Sequence, residues 1–309
     1  MKKIIISLIA VVLCAGVSFA QDMAQATQSA QNAQAAFEAG DFAAAFDGFK
    51  EALIGAEAAG EEGTALVSSC KSAIPQILLS WAKSLAKDTD YDKAIEKLEE
   101  AVASAREYEN ETVGQKAGEL IPQVMMQKAN ALLTSKDFAG AAEAYKAVTE
   151  VAPENGAAYL RLGSALSAIG KTDEAEAAFD SAIEKGQGAA AKKQAATMYL
   201  KQAAGALKSK NLSAAVAAAV KSNEYLESAQ ACQIAGQASQ LLKKNEDAAK
   251  YFEKYLQIAP AAKNAGQIAY TLGVIYQQLG DKAKAKTYYQ KASSDPTYGA
   301  EAAKQAASL

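Results

Sequence analysis

Two pairs of side chains match the spacing of a serine nucleophile with a lysine base: Ser68-x-x-Lys71 and Ser80-x-x-Lys83. Enzymes built on that pattern also carry Ser-Asp-Asn and Lys-Thr-Gly motifs, and this chain has neither. Gly186-Gln187-Gly188 with Ala191 imitates the glycine loop of a dinucleotide site. Such a loop needs a strand before it and a helix after it; here a helical stretch precedes it. Glu61-Glu62 and Glu99-Glu100 are adjacent carboxylates that read as solvated helix faces rather than as an acid–base pair. The chain contains no histidine. That excludes a Ser-His-Asp or Cys-His catalytic set, a His-Glu-x-x-His zinc site and a His-ligated haem. Three cysteines are too few for an iron–sulfur cluster or a four-cysteine zinc site. The remaining oxygen ligands show no EF-hand spacing, and there is no phosphate-binding Walker loop. The expectation is no enzyme, no metal and no cofactor.

The elements that carry these residues are helical by composition. Alanine makes up about a quarter of the 309 residues, and five prolines are spread through them. The net charge of −3 lacks the basic excess of a nucleic-acid binder. Residues 1–20 have the layout of a secretory signal peptide: Lys2 and Lys3, an apolar core from Ile4 to Val17, then Ser18 and Ala20 at a small-residue cleavage site. Leu13 before Cys14 departs from a lipoprotein signal. Cleavage after Ala20 would leave a formal charge of −5 and no later run long enough to span a membrane. The expected location is the periplasm.

A turn followed by small, large and small residues recurs along the rest of the chain. Gly40-Asp41-Phe42 leads to Ala45, Phe49 and Ala52; Asp90-Tyr91 leads to Ala94, Leu98 and Ala101. The series continues through Ala141 and Tyr145, through Ala175, Phe179 and Ala182, through Ala215, and through Ala248 and Phe252. It ends with Ala285, Tyr289 and Ala292. Spacings of four and three place each trio on one helix face. A preceding helix carries Tyr159, Leu162, Gly163 and Leu166, which recur as Leu272, Gly273 and Tyr276. Looser copies are Leu78, Trp81, Ala82 and Leu85, then Met125, Ala129 and Leu132.

This pattern resembles the tetratricopeptide repeat family, whose unit is a 34-residue helix–turn–helix. Pro153 and Pro260 fall where that family often closes a unit. The resemblance implies an all-α, right-handed solenoid of about seven units with a C-terminal capping helix over Thr297 to Leu309. Units are expected to begin near residues 26, 75, 122, 156, 196, 229 and 266. The division reads as 1–20 signal peptide, 21–155 units with elongated helices, and 156–309 units plus cap. The first two intervals are 49 and 47 residues, and Pro75 and Pro122 either lie inside long first helices or mark their starts. Ala219 stands where an aromatic is expected and Tyr255 where alanine is expected. Cys70 and Cys232 lie several units apart, too far for an intramolecular bridge. Cys232 reads as a small core residue, and Cys70 either as core or as an exposed thiol able to pair between chains.

In this family the first helices line a concave groove, and the resemblance carries its contact positions onto Asn130, Arg161, Gln230, Gln233, Gln237, Gln267, Tyr270 and Gln277. Asn130 and Arg161 are a fragment of the family's carboxylate clamp. The glutamines make an amide stripe, with Tyr270 as the ring expected to touch a ligand, while Tyr276 and Tyr289 sit at packing positions. The implied function is a protein-binding scaffold of the bacterial envelope, holding an envelope protein or peptide. The alternative is a glycan or peptidoglycan-fragment binder using the Gln/Tyr stripe. Self-association, through an end or the groove, is a further option.

Overall fold

The computed structural model describes residues 19–309; the leader expected over residues 1–20 lies almost wholly outside the described residues. These residues form fifteen α-helices and, among them, no strand. They divide into two compact units, one running to Pro153 and the other Glu154–Leu309. The first holds three helical hairpins: α1 (Phe19–Ala39) with α2 (Phe42–Ala58), α3 (Thr64–Lys87) with α4 (Tyr91–Glu107), and α5 (Glu111–Thr134) with α6 (Phe138–Val151). The second holds four more: α7 (Gly156–Ala168) with α8 (Thr172–Ala182), α9 (Gly188–Lys208) with α10 (Leu212–Tyr225), α11 (Ala229–Leu241) with α12 (Asn245–Ile258), and α13 (Ala265–Gln278) with α14 (Lys282–Ala292). A last helix, α15 (Gly299–Ser308), buries Gly299, Ala302 and Ala306. Ala302 and Ala306 join the core of the final hairpins, as a terminal cap must.

All seven hairpins keep one internal register. A small residue sits deep in the first helix: Ala33, Ala82, Ala129, Gly163, Ala203, Gly236 or Gly273. Seven residues later comes a left-handed residue with φ between 59° and 85°: Gly40, Thr89, Lys136, Gly170, Lys210, Lys243 or Gly280. The next residue caps the second helix. Asp41, Asp137, Asn211 and Asp281 do so by accepting the backbone N–H three residues on. Eight residues beyond the cap stands the large packing residue, as Phe49, Tyr145, Phe179, Phe252 and Tyr289.

The small position lets the two backbones approach. A methyl group added at Gly163 would lie 2.7 Å from the Phe179 ring, at Gly236 2.7 Å from Phe252, and at Gly273 2.6 Å from Tyr289. Glycine is therefore a packing requirement at these three sites.

Four expectations need correction or completion. The first helices of hairpins two, three and five start 8 to 11 residues earlier than the repeat spacing placed them, at 64, 111 and 188. Pro75 and Pro122 lie inside the 24-residue α3 and α5, so neither marks a helix start. Their missing N–H groups remove single bonds from ladders that tertiary packing sustains, with Pro75 itself buried. Cys70 is not an exposed thiol: it is fully buried, and burial pushes its pKa up to about 12. Cys232 is buried as well, and both thiols are free. In hairpin five, Ala219 is fully buried among Tyr199, Ala203, Ala215 and Ile234, so neighbouring side chains fill the space of the absent ring. Tyr255 is also buried, its hydroxyl donating to Asn264.

Gly163→Val should lower unfolding free energy by about 1–3 kcal/mol through overpacking against Phe179. Gly205→Ala, in mid-α9 with nothing within 4 Å of the new methyl, should raise it by about 0.5–1 kcal/mol. Urea unfolding followed by circular dichroism checks both; equal effects at the two sites would contradict the register.

Candidate interaction surface

In the second unit the first helices of successive hairpins touch one another: α7 meets α9, and α9 meets α11. The Ser164 hydroxyl on α7 donates to the amide oxygen of Gln194 on α9, tying the two together. These helices carry four of the eight residues expected to bind. Arg161 is exposed on α7. On α11, Gln230 is exposed and Gln233 and Gln237 are half-buried; spacings of three and four put them on one side. None of the three makes a side-chain hydrogen bond among the described residues, so their donors and acceptors stay available. On α13, Gln267 is exposed and donates a long bond, 3.4 Å, to the Tyr298 hydroxyl.

The remaining candidates are engaged internally. Asn130 belongs to the first unit, where its amide oxygen accepts from the Tyr145 hydroxyl at 2.6 Å. Gln277 accepts from the Tyr289 hydroxyl at 2.8 Å. Both amides therefore serve their own hairpin, joining the first helix to the packing tyrosine of the second. Tyr270 is half-buried, stacked on Tyr298 with centroids 5.1 Å apart and tilted against Tyr289 at 5.6 Å. Its ring is already packed against two others.

A family model described as tetratricopeptide repeat matches residues 126–190, and a second of the same description matches 229–261 and 266–294. These segments coincide with hairpins that share the register of the others. Those segments of the chain are tetratricopeptide repeats. No curated protein matches the chain. Among solved structures it is similar to a MamA protein, 21% identical over 59% of this chain and 96% of that one, with a TM-score of 0.36. It is likewise similar to YrrB, described as a TPR protein with an unusual peptide-binding site, at 19% identity over 65% and 97% with a TM-score of 0.34. A tetratricopeptide repeat protein from Parabacteroides merdae is 14% identical over 93% and 98%, with a TM-score of 0.29.

Tetratricopeptide repeats build protein-interaction scaffolds, and the chemistry of the imitation motifs agrees with that use. Lys71, the would-be base of the Ser68 pair, is ion-paired with Glu57 at 3.0 Å. Gly186 takes φ 88° in the turn between α8 and α9, with no strand before it. No helix among the described residues is long and apolar enough to cross a membrane.

One polar cluster was not anticipated from the sequence. Glu176 on α8 accepts from Tyr199 of α9 at 2.6 Å and from Lys221 of α10 at 2.9 Å. It also accepts from Tyr225 at 3.1 Å, and Tyr225 donates to Asp180 at 2.7 Å. The Tyr199 and Tyr225 rings stack 6.1 Å apart. Burial opposes ionisation of Glu176, but the bonds from Tyr199, Lys221 and Tyr225 outweigh it and hold its pKa below the usual value. Burial, then Glu176, raises the Tyr199 phenol; burial, then Asp180, raises Tyr225. Glu176 is thereby held as a carboxylate and Tyr199 and Tyr225 as neutral phenols, which suits a staple between hairpins four and five and not a nucleophile. The repeat period gave no signal for it, because Tyr199 and Tyr225 stand outside the packing positions. Hairpins six and seven have a similar staple: Tyr276 and Tyr288 both donate to Glu253, at 2.7 and 2.8 Å.

A depressed carboxylate pKa contributes stability that is complete above the unfolded value, about 4.3, and is lost as pH falls through the folded value. Glu176→Gln should therefore cost on the order of 1 kcal/mol at neutral pH, and the gap to the parent should close toward about pH 3. Unfolding titrations across that range check this; a gap that does not change with pH would contradict it.

Proposed function

We propose that this chain is a non-enzymatic scaffold that holds an extended segment of a protein partner along the first-helix face of its second unit. The observation that carries the reading is the row Gln230, Gln233 and Gln237 on α11, with side-chain amides that no neighbour satisfies. Each amide offers a donor and an acceptor, which suits the alternating N–H and C=O groups of an extended backbone. Gln267 on α13 lengthens the row, and Arg161 on α7 supplies a cation that can pair with a carboxylate. The glycan reading needs an open aromatic platform, and Tyr270 stacks on Tyr298 instead. The leader-like first twenty residues support export, so the partner is an envelope protein in the periplasm.

The test is crosslinking in cells and capture from the envelope fraction, comparing the parent with Gln230→Ala, Gln233→Ala, Gln237→Ala combined. A partner retained in stoichiometric amount by the parent should fall by about tenfold or more with the variant, since interface residues that matter cost over ~1 kcal/mol each when truncated. Equal recovery with both chains would refute the α11 assignment. A thermal shift with oligosaccharides in place of any protein partner would refute the peptide reading.

A further inference from the structure

The shared register makes any position counted from the second-helix cap recur in hairpin after hairpin. The sixth residue after the cap is Asp47, Glu96 and Glu143 on α2, α4 and α6, and all three are exposed. In the second unit the same position is Ala177, Ala217, Lys250 and Thr287. The tenth residue lies one turn further on the same helix face. It is Glu51, Glu100 and Ala147 in the first unit, then Ser181, Lys221, Lys254 and Lys291 in the second. The outward stripe of the second helices thus changes sign between the units. Whole-unit charge follows it. Residues 19–153 hold 21 Asp and Glu against 11 Lys and Arg, a formal −10. Residues 154–309 hold 14 against 19, a formal +5.

Part of each stripe is used internally: Lys97 bonds Glu100 at 2.6 Å, Lys221 bonds Glu176 at 2.9 Å, and Lys254 bonds Glu227 at 2.7 Å. Asp47, Glu51 and Glu143 form no ion pair among the described residues, nor do Lys250, Lys291 and Lys284, the last lying on α14 seven residues, about two turns, before Lys291; the Lys284 and Lys291 ammonium groups sit over the Tyr276 and Tyr288 rings at 4.7 and 4.9 Å. All six are exposed. Helix α14, residues 282–292, has four lysines and no carboxylate.

We propose that the acidic second-helix stripe of one copy docks on the lysine stripe of a second copy of this chain. Opposite sign is the first reason. The second is spacing: both stripes occupy the same positions of the same repeat, so their charges recur with one hairpin pitch, and a second copy matches that pitch by construction. An anionic lipid surface would suit the second unit alone and be repelled by the −10 of the first. This contact uses the second helices and is independent of the amide row on α11.

The test is sedimentation of the full chain over a concentration series in about 10 mM and about 1 M salt, where the screening length falls from about 30 Å to about 3 Å. Mass should rise to two chains or more at low salt, and the apparent association constant should drop by about tenfold or more at high salt. Asp47→Lys, Glu51→Lys, Glu143→Lys combined should stay a single chain. So should Lys250→Glu, Lys284→Glu, Lys291→Glu combined. Mixed in equal amounts, the two reversed variants should associate, because the lysines placed on the first-unit stripe of one meet the carboxylates placed on the second-unit stripe of the other. Unchanged helical circular dichroism excludes misfolding of these exposed sites as the cause. A single chain at every concentration in low salt would overturn the proposal. So would association that survives high salt or both reversals, or cosedimentation of the parent with anionic vesicles while it stays a single chain.

Discussion

The close approach of the two helices in each hairpin sets the terms for everything else in this protein. It requires a small residue in the first helix facing a large one in the second. Where the large residue is Phe179, Phe252 or Tyr289, the small one is glycine, because a methyl group would meet the ring at under 3 Å. Where the pair is Ala82 with Leu98 or Ala129 with Tyr145, alanine serves. The spacing from small residue to turn, and from cap to large residue, is then fixed by helix geometry. A hairpin with this arrangement still leaves apolar area uncovered, and stacking on its neighbours covers it. The polar cap α15 closes the last such face.

Hairpin five shows how the constraint is met when its usual residues are missing. Ala203 faces Ala219, so no ring interlocks the pair. Tyr199 and Tyr225 enter the same core from other positions. Their hydroxyls reach back to Glu176 and Asp180 on the preceding hairpin. Contacts within the hairpin are replaced by contacts between hairpins, with charge-assisted hydrogen bonds where apolar packing would serve elsewhere.

Much of this was legible in the sequence, and for a physical reason. Small, large and small residues at fixed spacing report directly on one buried helix face, so the seven hairpins and the cap could be read from Ala45–Phe49–Ala52 and its echoes. The 49- and 47-residue intervals announced long helices in the first unit, but periodicity says nothing about where a first helix starts beyond its packed turns, so the starts of α3 and α5 and the added length of α9 escaped it. Proline is a helix breaker by rule, yet Pro75 is carried inside a long helix by the packing around it. At the surface, Gln230, Gln233 and Gln237 make no side-chain hydrogen bond among the described residues, whereas Gln277 and Asn130 accept from tyrosine hydroxyls of their own hairpins. Tyr270 is occupied by Tyr298, a contact from beyond the seventh hairpin that no repeat position encodes. The Glu176 cluster depends on three helices meeting, and sequence spacing does not report such a meeting.

A single packing register therefore supports two faces of different chemistry, amide-rich on the first helices of the second unit and sign-changing on the second helices. Placing a photocrosslinking amino acid at Gln233 in one version of the chain and at Lys250 in another, then irradiating intact cells, reads both faces at once. The account predicts adducts to a different protein from position 233 and adducts to a second copy of this chain from position 250. The same adducts from both positions, or the two exchanged, would contradict it.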